Sequence, residues 1–228
     1  MANQAGKSAL SINDKIGERH EKEINIPCYR KYPDNHDYDG VRKGRKNGEE
    51  GKYTGKVEFD AGESVSGLWE SAQANIEENA LDIVALLTEA NGDLESLASK
   101  YAEGKTGSIS YAVRGSGTVL EVNQEKKAGY MTIELDGYDG PEIIKIQIGS
   151  IYKGSSTRDA LDIIDFGDYT NQEEWAAISK ELHSMIDSNV IQPAKPAELT
   201  GKSIDFTGTF TENGNEELLI TPIKLTVK

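Results

Sequence analysis

The chain has 228 residues, with 39 Asp and Glu against 25 Lys and Arg, for a formal charge of −14 at pH 7. An acidic excess of this size repels phosphate backbones and argues against nucleic acid as a partner. The single cysteine excludes an intramolecular disulfide and a Cys-based zinc cluster, and no run of about 18 apolar residues predicts a membrane-spanning helix.

Residues 1–52 differ from the rest. They are slightly basic, contain two of the three histidines and Cys28, and show little hydrophobic period. The runs Tyr32–Gly40 and Lys43–Gly48 are rich in Gly, Asn, Asp and Lys, as turns and unfolded chain are. This segment is expected to be disordered. Ser8–Ile12 is too short and polar for the core of an export signal, and Cys28 lacks the apolar run that precedes a lipid-modified cysteine. The chain as written is therefore expected to carry neither an export signal nor a lipid anchor.

Residues 53–104 are expected to form a helical pair. Leu68, Ala72, Ile76, Ile83 and Leu87 recur at helical spacing and predict one continuous helix ended by Asn91-Gly92, two residues that tolerate a left-handed cap. Asp93 can cap a shorter helix through Leu94, Leu97 and Tyr101, ending by Gly104.

From 105 to 228 the period changes to two. Ile109, Tyr111 and Val113 open a strand, and after Gly115-Ser116-Gly117 the apolar parity shifts, which predicts a bulge or bend at the glycines. Met131, Ile133 and Leu135 mark a second strand. Ile144, Ile146 and Ile148 mark a third, extending toward Tyr152. Thr170-Asn171-Gln172-Glu173 has the pattern of a capping box with Thr170 as cap, leading a helix with the stripe Trp175, Ile178, Leu182 and Ile186, with Gln192-Pro193 past its end. Ile204, Phe206 and Phe210 alternate in a fourth strand. Leu218 and Ile220 alternate in a fifth, whose phase moves to Ile223 after Pro222. The order strand, strand, strand, helix, strand, strand predicts an α+β fold: a five-stranded OB-like β-barrel with the helical pair packed on it. Residues 53–228 would form one folded unit.

Few residues suggest chemistry. Asn35, Asp37, Asp39 and Gly40 imitate the start of a calcium loop, but Lys46 stands where a bidentate Glu is needed. Gly115-Ser116-Gly117 lacks the third glycine and the following helix of a dinucleotide loop. His183 has no nucleophile to serve, and Asp162, Asp165 and Asp168 match no ligand spacing. No catalytic residue, metal ligand or cofactor is expected. Gly154-Ser155-Ser156-Thr157-Arg158-Asp159 is more informative, because Arg158 could offer its fork to a carboxylate or to sugar hydroxyls. The favoured alternative, since most lone charged pairs are structural or solvated, is that it ties its own loop to Asp159 or to backbone carbonyls. Asn171 and Gln172 could form a polar pocket with it or only support the helix cap. On the barrel, the outward residues Tyr130, Thr132, Lys145 and Gln147, with the loops at 123–128 and 211–217, would line an OB-type site.

Residues from about Gly48 to Lys228 resemble a family of bacterial extracytoplasmic lipoproteins, domain-of-unknown-function family 2291. The resemblance is carried by Phe59-Asp60 with Trp69, by Gly115–Val119, Ile146–Gly149 and Lys153–Ala160, and by Asp168–Gln172, Gly201-Lys202 and Ile220–Ile223. It implies a protein outside the cytoplasm, encoded beside sugar ABC transporters, with Arg158, Asp159, Asn171 and Gln172 as marked residues of unknown role. The family carries a lipid-bearing cysteine shortly before the Phe-Asp segment, which is not found here. The resemblance implies a non-enzymatic binding or accessory protein that takes a sugar ligand or an ABC-transporter component. The alternatives are a protein–protein adaptor for a transporter component and, behind both, a glycan hydrolase using two carboxylates.

Overall fold

The computed structural model describes residues 59–102 and 107–228. The disorder expected for residues 1–52 and the helix end expected at Gly104 lie outside the described residues. Helix α1 (Ala61–Asn79) is capped by Asp60, whose carboxylate accepts the Glu63 N–H at 3.0 Å. Val65, Trp69, Ala72 and Ile76 form its buried stripe. The continuous helix expected over Leu68–Leu87 is broken. Ala80 is extended, Leu81–Asp82 form the short strand β1, and a second helix, α2, runs Ile83–Ala90. The break has two causes: β1 pairs in parallel with Val113 and Arg114, and Asp82 accepts the Ala85 N–H at 2.9 Å, starting α2 afresh. The far end is as expected. Asn91 is left-handed at φ 47°, and Asp93 accepts the Ser96 N–H at 3.1 Å. A 3-10 turn and the short α3 (Ala98–Tyr101) follow.

Five strands close the barrel: β2 (Ser110–Asn123), β3 (Tyr130–Leu135), β4 (Ile143–Gln147), β5 (Ser203–Thr211) and β6 (Glu217–Val227). Their order is β2-β3-β4-β6-β5, and β5 returns to β2. All pairs are antiparallel except β4 with β6. Strand β2 pairs with β5 along its first part and with β3 along its last, and Gly117 and Thr118 belong to both ladders. Gly117 is where the strands crowd most. A Cβ there would strike the Glu134 carbonyl and come within 2.7 Å of Ile133 Cγ2. The bulge lies at Leu120, between Val119 and Glu121, and not at the glycines, which keep β2 close to β3 without interrupting its register with β5. The phase shift after Pro222 is a second bulge, on β6 opposite Thr207 and Gly208.

The core lies inside the barrel and under the helices. Met131, Ile133, Ile144, Ile146, Ile204 and Ile220 alternate inward, as their period predicts. Tyr111 stacks on Phe210 at 5.3 Å and donates its hydroxyl to the Leu94 carbonyl at 2.6 Å, which ties the helical pair to the barrel. Burial pushes the Tyr111 phenol up to about 12. Each such buried aromatic or aliphatic side chain contributes about 1.5–3 kcal/mol from area removed from water.

Between β4 and β5 lie the short helix α4 (Ser156–Asp159) and the long helix α5 (Gln172–Ile186). Helix α5 is continued by a π-helical turn over Asp187–Ile191 and a last turn at Gln192–Ala194. Gln192-Pro193 therefore lies inside the helical run. Its stop is Lys195, left-handed at φ 51°.

Candidate functional site

The segment Lys153–Ala160 is anchored by hydroxyls. Ser156 Oγ donates to the Thr209 carbonyl and meets Thr221 Oγ1, both at 3.2 Å, and Thr157 Oγ1 meets Thr209 Oγ1 at 3.1 Å. Gln147 holds the entry to this loop: its amide donates to Thr221 Oγ1 at 2.8 Å and accepts the Lys153 N–H at 2.7 Å. These groups are buried and bonded to one another, as polar groups removed from water must be. Gln147 was expected to face outward. It is only 3% exposed, because the Lys153–Asp159 segment folds back over that side of β4.

Arg158 and Asp159 sit within this layer, 8% and 4% exposed. Arg158 Nε and Nη2 donate to Asp159 Oδ1 at 2.9 and 2.6 Å, and Nη1 donates to the Trp175 carbonyl at 3.1 Å. The guanidinium also lies 4.4 Å from the centre of the Trp175 ring. Ser108 Oγ donates to the other Asp159 oxygen at 3.3 Å. The structure thus places Arg158 as a tie between its own loop and α5. Asn171 and Gln172 are exposed and do not join it. Asn171 is the cap of α5: its side-chain oxygen accepts the Glu173 and Glu174 N–H groups at 2.8 and 2.9 Å. The box expected on Thr170 is shifted by one residue, and Glu174 reaches back to the Thr170 N–H at 2.8 Å.

On the open side of the barrel, Tyr130, Lys145 and Glu217 stand in a row across β3, β4 and β6. Lys145 Nζ lies 4.4 Å from the centre of the Tyr130 ring and is ion-paired with Glu217. Thr132 is the cross-strand neighbour of Lys145. At the end of this row the β2–β3 loop forms a concavity of about 280 Å³ with Gly129, Ile148 and Gly149. Gly149 admits no side chain there, because a Cβ would meet the Lys127 carbonyl.

A second concavity, of about 550 Å³, lies over the outer face of β2, β5 and β6. Arg114, Asp82, Asp136, Asp205 and Lys224 line it, with Phe206 at its floor. Sequence reasoning missed it, since its residues come from five separate segments and share no local motif. The only trace in the sequence is Arg114, a charged residue at an outward position in the otherwise apolar and small-residue first part of β2, residues 110–120.

The three acidic residues after β4 are taken up locally. Asp162 accepts from Asn75 and Asn79, while Asp165 and Asp168 cap a 3-10 turn reciprocally. No group of three His, Cys, Asp or Glu that could hold a metal is found among the described residues. His183 stacks on Tyr152 at 4.8 Å, and burial, aided by the Arg158 charge, pulls its imidazole down from 6.5 to about 4.

The closed five-stranded barrel with a helix between its third and fourth strands is an OB-fold. It is similar to the crystal structure of an OB-fold protein from Thermotoga maritima, with a TM-score of 0.60 at 20% identity, over 75% of this chain and all of that one. A family model described as predicted periplasmic lipoprotein (DUF2291) matches residues 38–226, and the chain belongs to that family. No curated protein matches it. The family description puts the protein outside the cytoplasm, and among the described residues no helix is long and apolar enough to cross a membrane.

Proposed function

We propose that this chain is a non-enzymatic carbohydrate-binding accessory protein of a sugar ABC uptake system, acting outside the cytoplasm. The observation that carries the reading is the row Tyr130–Lys145–Glu217. An aromatic ring offers its face to the C–H side of a pyranose, and a charged pair beside it offers donors and an acceptor to the hydroxyls. Because the pair comes from two neighbouring strands, its geometry is set by the barrel and costs little to order on binding. Tyr130 and Lys145 stand on the second and third strands of the barrel, the face on which OB-folds bind oligosaccharides, and Glu217 joins them from the fifth. Lys145 and Glu217 are occupied with each other, which favours binding over hydrolysis by this pair.

The test is a thermal-shift titration of the full chain with mono- and oligosaccharides. A ligand at 100 times its dissociation constant adds about 2.7 kcal/mol. Binding should weaken about tenfold or more in Tyr130→Ala. Saturable sugar binding untouched by Tyr130→Ala and Lys145→Ala would move the site elsewhere. No sugar binding, together with salt-sensitive capture of a transporter subunit, would replace this reading by that of an adaptor.

A further inference from the structure

We propose that the groove over β2, β5 and β6 is a second binding site, for a small carboxylate that also carries hydrogen-bond donors, with its carboxylate on Arg114 and its donors on Asp136 and Asp82. The argument is independent of the sugar-binding face, which uses other residues.

It starts from Arg114. The side chain is exposed on β2 and lines the larger of the two concavities described above. Among the described residues no hydrogen-bond or ion-pair partner faces its guanidinium, although three carboxylates line the same groove. Two of those carboxylates are engaged elsewhere. Asp205 is paired with Lys228 at 2.8 Å and accepts from the Ser116 hydroxyl. Asp82 spends one oxygen on the Ala85 N–H as the cap of α2. Lys224, the other cation of the lining, is drawn to Glu77 at 2.9 Å. Arg114 is thus left with an open planar fork, the geometry that takes a carboxylate through two parallel hydrogen bonds.

The surrounding charge narrows the ligand. A dianionic phosphate on Arg114 would share the groove with the Asp82 and Asp136 carboxylates, and like charges in one groove disfavour it. A monoanionic carboxylate is tolerated when the rest of the ligand donates to those acids. Asp136 is placed to accept. Its backbone N–H is bonded to the Ser116 carbonyl at 3.0 Å, and Ser116 lies two residues from Arg114 along β2, roughly 6.5 Å away. The long Arg114 side chain at one end of such a span and the Asp136 carboxylate at the other line the same concavity, where they can meet the carboxylate and the neighbouring hydroxyl or ammonium of one small molecule. Between them, Gly115 brings the strand directly onto the core: a Cβ there would come within 2.7 Å of Ile83 Cγ2 and 3.1 Å of the Phe206 ring. The floor is therefore rigid, and the two charged walls keep their spacing.

Two kinds of molecule share this chemistry, an amino acid with its ammonium and a sugar acid with its hydroxyls. Chemical-shift titration of the isotope-labelled full chain with L-alanine, D-glucuronate and inorganic phosphate tests the site and separates the two. The expected result is saturable shifts of the Ser116 and Thr207 amides with alanine or glucuronate at millimolar concentration. Arg114→Gln should weaken that binding about tenfold or more while leaving the melting temperature unchanged, since the side chain is exposed and unpaired. The carboxylate that binds the parent more tightly identifies the preferred donor, ammonium for alanine and hydroxyl for glucuronate, and Asp136→Asn should weaken that ligand about tenfold or more. Tyr130→Ala should leave these titrations unaltered. The proposal is overturned if neither carboxylate gives saturable shifts, if Arg114→Gln binds as well as the parent, or if phosphate shifts the same amides as strongly.

Discussion

Arg158 and Asp159, adjacent in sequence, form a buried ion pair closed by two hydrogen bonds to one carboxylate oxygen, at 2.9 and 2.6 Å. Neighbours along an extended chain point apart, and here the turn of α4 lets the arginine fold back over its own successor. The remaining Arg158 donor goes to the Trp175 carbonyl, so the pair fastens α4 to α5. Replacing both charges by apolar groups can be nearly neutral, but removing one leaves the other buried and uncompensated, at about 3–5 kcal/mol. Arg158→Ala is expected to lose stability in that range in urea denaturation. A loss below about 1 kcal/mol, the worth of an exposed pair, would show that water reaches Asp159.

The cap of α5 offers a sharper test, because two adjacent residues make opposite predictions. Asn171 satisfies two N–H groups of the first turn. Thr170 contributes its backbone N–H, to Glu174, and lies outside the helix. Asn171→Ala should cost about 1 kcal/mol and Thr170→Ala a few tenths. The reverse order in thermal unfolding would restore the box to the threonine.

His183 makes stability depend on pH. Its imidazole is held neutral by burial, with Arg158 adding to the effect, and protonates near pH 4 instead of 6.5. The unfolded chain therefore binds this proton first. The contribution of the neutral ring is fully present above about pH 6.5 and is lost as pH falls toward 4. At 1.36 kcal/mol for each unit, the loss is about 3 kcal/mol at its limit. His183→Gln should flatten the stability profile in this window relative to the parent. Parallel profiles for the two proteins would mean that the ring is solvated.

The barrel was legible because apolar residues alternate along part of its strands: Met131, Ile133 and Leu135 on β3, and Ile204 and Phe206 on β5, point inward as the period says. Even the bulge on β6 was visible as a change of parity after Pro222. The helix break at Ala80 was not, since Ala, Leu and Asp are all compatible with a helix. What decides there is the pairing of Leu81–Asp82 with Val113–Arg114, some thirty residues on. Gln147 shows the same limit. Alternation puts it on the side away from Ile146, but whether that side meets water depends on a loop that returns over it. The Arg114 groove was hidden for a further reason: β1, β2, β5 and β6 each contribute one or two unremarkable polar residues, and only barrel closure brings them together.

Strand β6 is the last element of the chain, and it stands between β4 and β5. Until it is in place, both neighbours present unpaired edges, and the inward side chains of all five strands lack a closed interior. The barrel therefore cannot be completed on a partly synthesised chain, whatever the earlier segments do. Closure of the barrel waits for β6, the strand that joins β4 to β5.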